Sequence, residues 1–369
     1  MQKMEYCPVW AIKMEPINKI IDTIKKIAND NEFIIRNKRR VQDFTRKHEL
    51  TPTDVIYFVL GKTGNPIDFE THTFCKTLNK HIQAPAMCKA RDKIKHTAFK
   101  ELLHHTANSI EPKNLYKNYR ITSFDGTSGE LPRTPELMEK YRPSHDAQYP
   151  MFHAIAEYDV LNCIYTNAIF TPYPADERAI VCKLLEAHTY VGKEIFLFDR
   201  GFPSVKLIQT LEKQGKKYVM RVSKSFLREV NEFGKTQAKD ALVHICYDER
   251  RKVLSGADFE GEEYCFDLRC VKIDLPKGQV EVLITNLSGD EFSRLDVGVL
   301  YGLRWRVETA FLDLKYAVHV EEFVSRKENL ILQEFFASLI QANLSMLFVG
   351  VADLVVRSKK KLVKSCCMV

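Results

Sequence analysis

The hexapeptide Glu194-Ile195-Phe196-Leu197-Phe198-Asp199 limits the fold of this chain more than any other segment. Its four central residues are all apolar and leave no alternate position for solvent. The segment therefore predicts a strand covered on both faces, as in the inner part of an α/β sheet. It closes on a carboxylate, and Gly201 and Pro203 break it directly afterwards. The neighbouring segments suit such a sheet. Arg120–Asp125 reads as a strand that also ends in aspartate, with Gly126-Thr127-Ser128-Gly129 turning after it. Phe152–Asp159 and Asn162–Phe170 read as a hairpin, Pro174–His188 as an amphipathic helix, the stretch to about Gly215 as another helix, and Lys217–Val222 as a further strand. If Asp125 and Asp199 end parallel strands of one sheet, both carboxylates emerge at the edge where open α/β sheets place ligands. Taken singly, each is also an ordinary turn cap.

Beyond residue 222 the pattern changes. Val243–Tyr247, Tyr264–Ile273 and Val280–Thr285 read as strands with polar connections. A long helix is expected from near Asp290 through Lys315, and a second from roughly Asn329 to Val356. On a wheel of about 100° per residue, Tyr301, Arg304, Glu308 and Lys315 fall on one narrow stripe. Leu303, Val307, Ala310, Phe311 and Leu314 form the adjoining buried face. Trp305 borders the stripe. A plain amphipathic helix with an internal Arg–Glu pair would show the same pattern.

Charge points to a polyanionic partner. Residues 1–110 hold 19 Lys and Arg against 12 Asp and Glu, an excess equal to the +7 of the whole chain. A basic lobe on a neutral body suits phosphates. Within it, Thr51 can cap a helix led by Pro52, and a second helix is expected over Ala86–His105, carrying Arg91, Lys93 and Lys95. No amino-terminal signal pattern is present. The ten cysteines show no C-x-x-C pair with a His partner, so neither zinc nor a disulfide is expected, and reduced thiols in a cytoplasmic protein fit best. Phe335–Val356 has the length of a membrane span, but Gln341, Asn343 and Asp353 interrupt it, and a buried helix without membrane contact is expected.

Three carboxylates at one sheet edge suit one chemistry above others. Magnesium prefers oxygen ligands and leaves room for phosphate oxygens, and two such ions can serve both oxygens of an in-line displacement. At this point the sequence resembles a family. The spacing Tyr301-x2-Arg304-x3-Glu308-x6-Lys315 matches the Tyr-Arg-Glu-Lys signature of DDE transposases of bacterial insertion sequences, the group named for insertion sequence four. Phe124–Thr127 and Asp199–Ser204 resemble its two aspartate motifs, Gln333–Ala337 its following helix, and Ala90–Ile94 its amino-terminal DNA-binding segment.

The resemblance implies a ribonuclease H-like α/β fold: a mixed sheet with flanking helices, a β-rich insertion and a helical DNA-binding region. It divides the chain into 1–110 (basic DNA-binding region), 111–222 (first part of the core), 223–290 (insertion), 291–358 (core helices) and 359–369 (basic tail). It implies that Asp125, Asp199 and Glu308 are the catalytic, metal-binding residues for two Mg2+ or Mn2+ ions. It places Tyr301, Arg304, Trp305 and Lys315, with Arg91, Lys93 and Lys95, at DNA. The implied activity is cut-and-paste transposition: cleavage at terminal inverted repeats, then strand transfer into target DNA by a homodimer assembled on DNA. The rivals are a nuclease of the same fold that cuts without joining, and a weakened or truncated transposase-derived DNA-binding protein. One departure is that residues 223–290 contain no tryptophan, which some relatives use on a flipped base.

Overall fold

The computed structural model describes residues 14–46, 49–223, 226–247, 264–274, 279–306, 308 and 323–366. Among the described residues six helices precede the sheet: α1 (Glu15–Ala28), α2 (Asn31–Asn37), α3 (Pro52–Leu60), α4 (Ile67–Thr77), α5 (Ala84–Arg91) and α6 (Thr97–Asn108). Thr51 caps α3 through a reciprocal box with Asp54, as its sequence predicts. The single helix expected over Ala86–His105 is instead two. Between α5 and α6 the chain forms a short antiparallel bridge, Lys38 to Ile94, in which Arg39 N–H donates to Lys93 O and Lys95 N–H to Asn37 O. This long-range pairing captures backbone groups that a continuous helix would have used itself.

The sheet follows as β1 (Arg120–Glu130), β2 (Met151–Asp159), β3 (Ile164–Pro172), β4 (Glu194–Phe198), β5 (Lys217–Arg221), β6 (Asp240–Tyr247), β7 (Tyr264–Asp274) and β8 (Val280–Thr285). Helices α7 (Pro135–Tyr141), α8 (Glu177–Glu186), α9 (Val205–Lys213) and α10 (Arg228–Lys235) lie between strands, and α11 (Arg294–Leu303) and α12 (Glu328–Cys366) follow them. All eight strands join one sheet in the order β3-β2-β1-β4-β5-β8-β7-β6. β1, β4 and β5 are parallel, and the remaining pairs are antiparallel. This is a mixed α/β sheet with flanking helices, and the order of its first five strands agrees with the ribonuclease H-like expectation. Strands β6–β8 extend that sheet through the β5–β8 pairing.

β4 is buried at all five positions, as its composition requires. Its side chains alternate between two cores. Ile195 and Leu197 enter the core shared with α1–α6, α11 and α12; Phe196 and Phe198 enter the one under α8, α9 and α10. The first core runs without interruption from Ile20 through the sheet to Ala342, so the basic helices and the sheet bury one continuous apolar cluster. α12 includes a stretch, Glu328–Ala352, long and apolar enough to cross a membrane. Here Phe335, Phe336, Leu339 and Ile340 are buried in the first core.

Two expectations need correcting. β1 does not turn after Asp125: its antiparallel pairing with β2 continues through Glu130–Met151. On its other side the pairing with β4 stops at Ser123–Leu197. Asp125 therefore lies in mid-strand, just where one neighbouring strand has left. The cysteines also differ from the reading, because Cys246 and Cys265 are joined by a disulfide across β6 and β7. The register places directly opposite one another two residues whose sequence separation gave no signal.

Candidate active site

Three elements bring three carboxylates together. Asp125 sits on β1 on the face of Ile121, and Asp199 follows β4 on the face of Leu197. α11 packs on that face. Its start is fixed by Ser293 and Asp296 in a reciprocal capping box, and Val297 and Leu300 are fully buried beneath it. The packing delivers the end of α11 to Asp199. The Tyr301 hydroxyl donates to Asp199 Oδ1 at 3.1 Å. Arg304 Nε lies 3.8 Å from the same oxygen, and Arg304 Nη2 lies 2.8 Å from Glu308 Oε1.

Electrostatics tie Asp125 to the pair. Burial raises its pKa to about 6; the Gly126 N–H, donating at 2.9 Å, opposes the rise, the Glu308 charge adds to it, Arg304 lowers it and Asp199 raises it slightly. Asp125 thus experiences both other carboxylates. Tyr301 is 5 % exposed, and its burial pushes the phenol well above its usual range, so it is a neutral donor to Asp199. Arg304 is 3 % exposed, and its buried Nε has no hydrogen-bond partner among the described residues.

This donor set fits divalent cations. Three carboxylates are hard oxygen ligands of the kind Mg2+ and Mn2+ take. Burial first, and the charges of Glu308 and Asp199 after it, disfavour an ionised Asp125, and a bound cation would offset both. Asp125, Asp199 and Glu308 are the residues that would hold it.

The remaining sequence candidates are distributed as follows. Trp305 is 59 % exposed, with the Arg304 guanidinium 5.5 Å from its ring centre. Lys315 lies outside the described residues. Arg91, expected at DNA, is 1 % exposed: its Nη2 donates to Glu334 Oε1 at 3.0 Å and to Leu330 O, and its Nη1 to Ser325 Oγ. A guanidinium enclosed in this way joins α5 to α12 and does not reach a phosphate. Lys95 is exposed, and Lys93 is half-buried with its ammonium over the Phe44 ring. Lys93 belongs to a cleft of about 580 Å³ whose walls include Arg39, Arg40, Lys89, Arg326 and Lys327, with Asp43 and Asp92.

Some site residues were not foreseen. Arg221 ends β5, beside the end of β4, and its Nη1 lies 3.9 Å from Asp199 Oδ1 while Nη2 pairs with Glu281. The sheet-edge argument that picked out Asp199 applies equally to the last residue of the next parallel strand. On the opposite face His153 and Glu177 crowd Gly126: a Cβ there would lie 3.1 Å from His153 Cε1 and 3.5 Å from Glu177 Oε1. Glycine next to Asp125 is what lets β1 pass this pair.

A mixed sheet with two aspartates on one face, and Glu308 tied to them through Arg304, defines an α/β protein with a carboxylate cluster beside its parallel strands. The family is then specific: residues 116–344 match the model of the transposase DDE domain, more than half of the chain, and the protein belongs to that family. Such domains act on DNA phosphodiesters and generally use divalent metal ions. Among solved structures the fold is similar to that of the piggyBac transposase, seen in a cryo-EM synaptic complex with hairpin DNA. The TM-score is 0.51 at 11 % identity, over 90 % of this chain and 75 % of that one. No curated protein sequence matches the chain.

Proposed function

We propose that the protein is a cut-and-paste transposase of the insertion-sequence-four type, with Asp125, Asp199 and Glu308 as its catalytic carboxylates. The observation that carries this reading is the convergence of Tyr301, Arg304 and Glu308 on Asp199, with Asp125 within their field. Three of the four signature residues take part in it; the fourth, Lys315, lies outside the described residues.

Two Mg2+ or Mn2+ ions held by the three carboxylates would supply an activated oxygen nucleophile and charge neutralisation at the phosphoryl group. The chain's own residues do the rest. Tyr301 orients Asp199 through its hydroxyl. Arg304 holds Glu308 and offers a fixed positive charge beside the scissile phosphate, where a planar guanidinium can pair with two oxygens. Trp305 presents a ring on which a displaced base can stack. Water first cuts at the element's terminal inverted repeats, and the freed 3′-hydroxyl then attacks target DNA. The amino-terminal helices, through Lys93, Lys95 and the basic cleft, bind the inverted repeats, and a homodimer joins the two ends.

Oligonucleotide duplexes carrying the element's end test this in the presence of Mg2+. The wild-type chain is expected to give nicked and then joined products. Glu308→Gln is expected to lower cleavage at least about a thousandfold, the scale for loss of an essential catalytic group, while DNA affinity stays within a few-fold. Cleavage by that variant at the normal rate removes Glu308 from the metal site; nicking without joined product favours a nuclease.

A further inference from the structure

The β6–β7 ribbon carries a second donor cluster of a different chemical kind, far from carboxylate chemistry. In its register His244 faces Asp267 and Cys246 faces Cys265. Side chains alternate along a strand, so these four share one face, and Ile245 and Leu268 fill the other in the core. The donor atoms of His244, Cys246 and Cys265 all lie within 4.8 Å of one another. His244 Nδ1 is 2.8 Å from Asp267 Oδ1, and its Nε2 is 3.2 Å from Cys246 Sγ. An imidazole that gives its Nδ1–H to a carboxylate presents Nε2 as a bare donor, the orientation found for metal-ligating histidines.

We infer that His244, Cys246 and Cys265 form a zinc site, with Asp267 holding the imidazole. Two sulfurs and one imidazole are the soft and borderline ligands zinc takes in its tetrahedral sites, and one position is left to solvent. Oxygen-preferring Mg2+ is not held here, so the two sites divide metals by chemistry. The structure has the two sulfurs bonded to each other, and the metal requires them reduced. A phosphine supplies the two electrons and is converted to its oxide with oxygen from water; each sulfur takes a proton, and zinc binding then displaces those protons. The ion does structural work, because β6 is the edge of the sheet and pairs with β7 alone in the strand order. A ligand from each strand pins the edge that would otherwise fray or recruit another chain.

The test uses the full chain after phosphine reduction under anaerobic conditions, with excess Mg2+ present and Co2+ as the probe. Wild type is expected to show a thiolate-to-cobalt charge-transfer band with tetrahedral d–d absorption, bleached by Zn2+, and a higher melting temperature with Zn2+ than without. Cys265→Ser is expected to diminish the band, and His244→Ala to weaken Co2+ binding at least about tenfold, since losing a ligand costs no less than losing one of its outer-shell partners. Both positions face solvent, and circular dichroism verifies that each variant is folded. A band undiminished in Cys265→Ser belongs to cysteines outside the site and overturns it, as does an absent band in wild type or unchanged affinity in His244→Ala.

Discussion

Asp199 shows how one side chain is held ready by residues from two other elements, α11 with its C-cap and β5. Tyr301 donates to its Oδ1, and Arg304 and Arg221 flank that oxygen at 3.8 and 3.9 Å. A hydrogen bond to a charged group contributes about 1.5–3 kcal/mol. Tyr301→Phe keeps the ring and its packing and removes only the hydroxyl. Cleavage in the oligonucleotide assay is therefore expected to fall about tenfold or more, equivalent to at least about 1.4 kcal/mol, and half-saturation in Mg2+ to rise. A variant that cuts and titrates like wild type assigns the hydroxyl no positioning role. At this scale much was legible. Asp199 announces itself by ending an apolar strand, and Tyr301, Arg304 and Glu308 stand at helical spacing in the sequence, but Asp125 lies in mid-strand and α11 ends at Leu303, short of the helix expected through Lys315. Arg221, His153 and Glu177 were silent, because their place at the site depends on strand order and pairing, which no local pattern encodes.

Between elements the decisive contact is a buried charge cluster rather than an apolar seam. Glu334 on α12 accepts from Arg91 of α5, from Lys62 after α3 and from Ser325 Oγ at 2.7 Å. Burial alone would raise the Glu334 pKa, but Arg91 and Lys62 outweigh it and hold the carboxyl below its usual range. Removing one member of such a cluster costs about 3–5 kcal/mol, since the remaining charges stay buried without compensation. Glu334→Ala is expected to lose about that much in urea denaturation, with a lower midpoint and the same slope. A loss under about 1 kcal/mol, the scale of an exposed pair, means the cluster is solvated. The segment Ala90–Ile94 reads in sequence as a basic DNA-facing stretch, and for Arg91 that reading fails. Its partner is 243 positions away. A buried and an exposed arginine look alike until α12 is docked, and the amphipathic pattern of α5 is too short to separate them.

For the whole molecule, the continuous core makes the amino-terminal helices and the sheet depend on each other, and a second ionic network sets how stability responds to pH. His188 follows α8 and lies between Glu157 on β2, with Nδ1 2.9 Å from Oε1, and Glu194 on β4, with Nε2 2.6 Å from Oε2. Arg120 on β1 pairs with Asp159 and Glu194 beside it, at 2.9 and 3.7 Å. Burial lowers the imidazole pKa, but the hydrogen bonds to Glu157 and Glu194 outweigh that and push it up to about 9. The unfolded chain titrates near 6.5. Because the folded value is the higher, the stability from protonated His188 is fully present below about 6.5 and is lost as pH rises through about 9. At about 1.4 kcal/mol per unit the loss is at most about 3 kcal/mol. Glu157 has the opposite sign: burial raises its pKa, but His188 lowers it further, so its share is present above the unfolded carboxylate value and lost in acid. The alkaline limb is isolated by comparing wild type with His188→Gln in urea melts at pH 6 and pH 10, since lysines and tyrosines titrate alike in both. The variant is expected to be less stable by a few kcal/mol at pH 6, and the gap is expected to close by pH 10. A gap of constant size across that range means that His188 is neutral in the folded protein, and that the two glutamates are balanced by Arg120 instead.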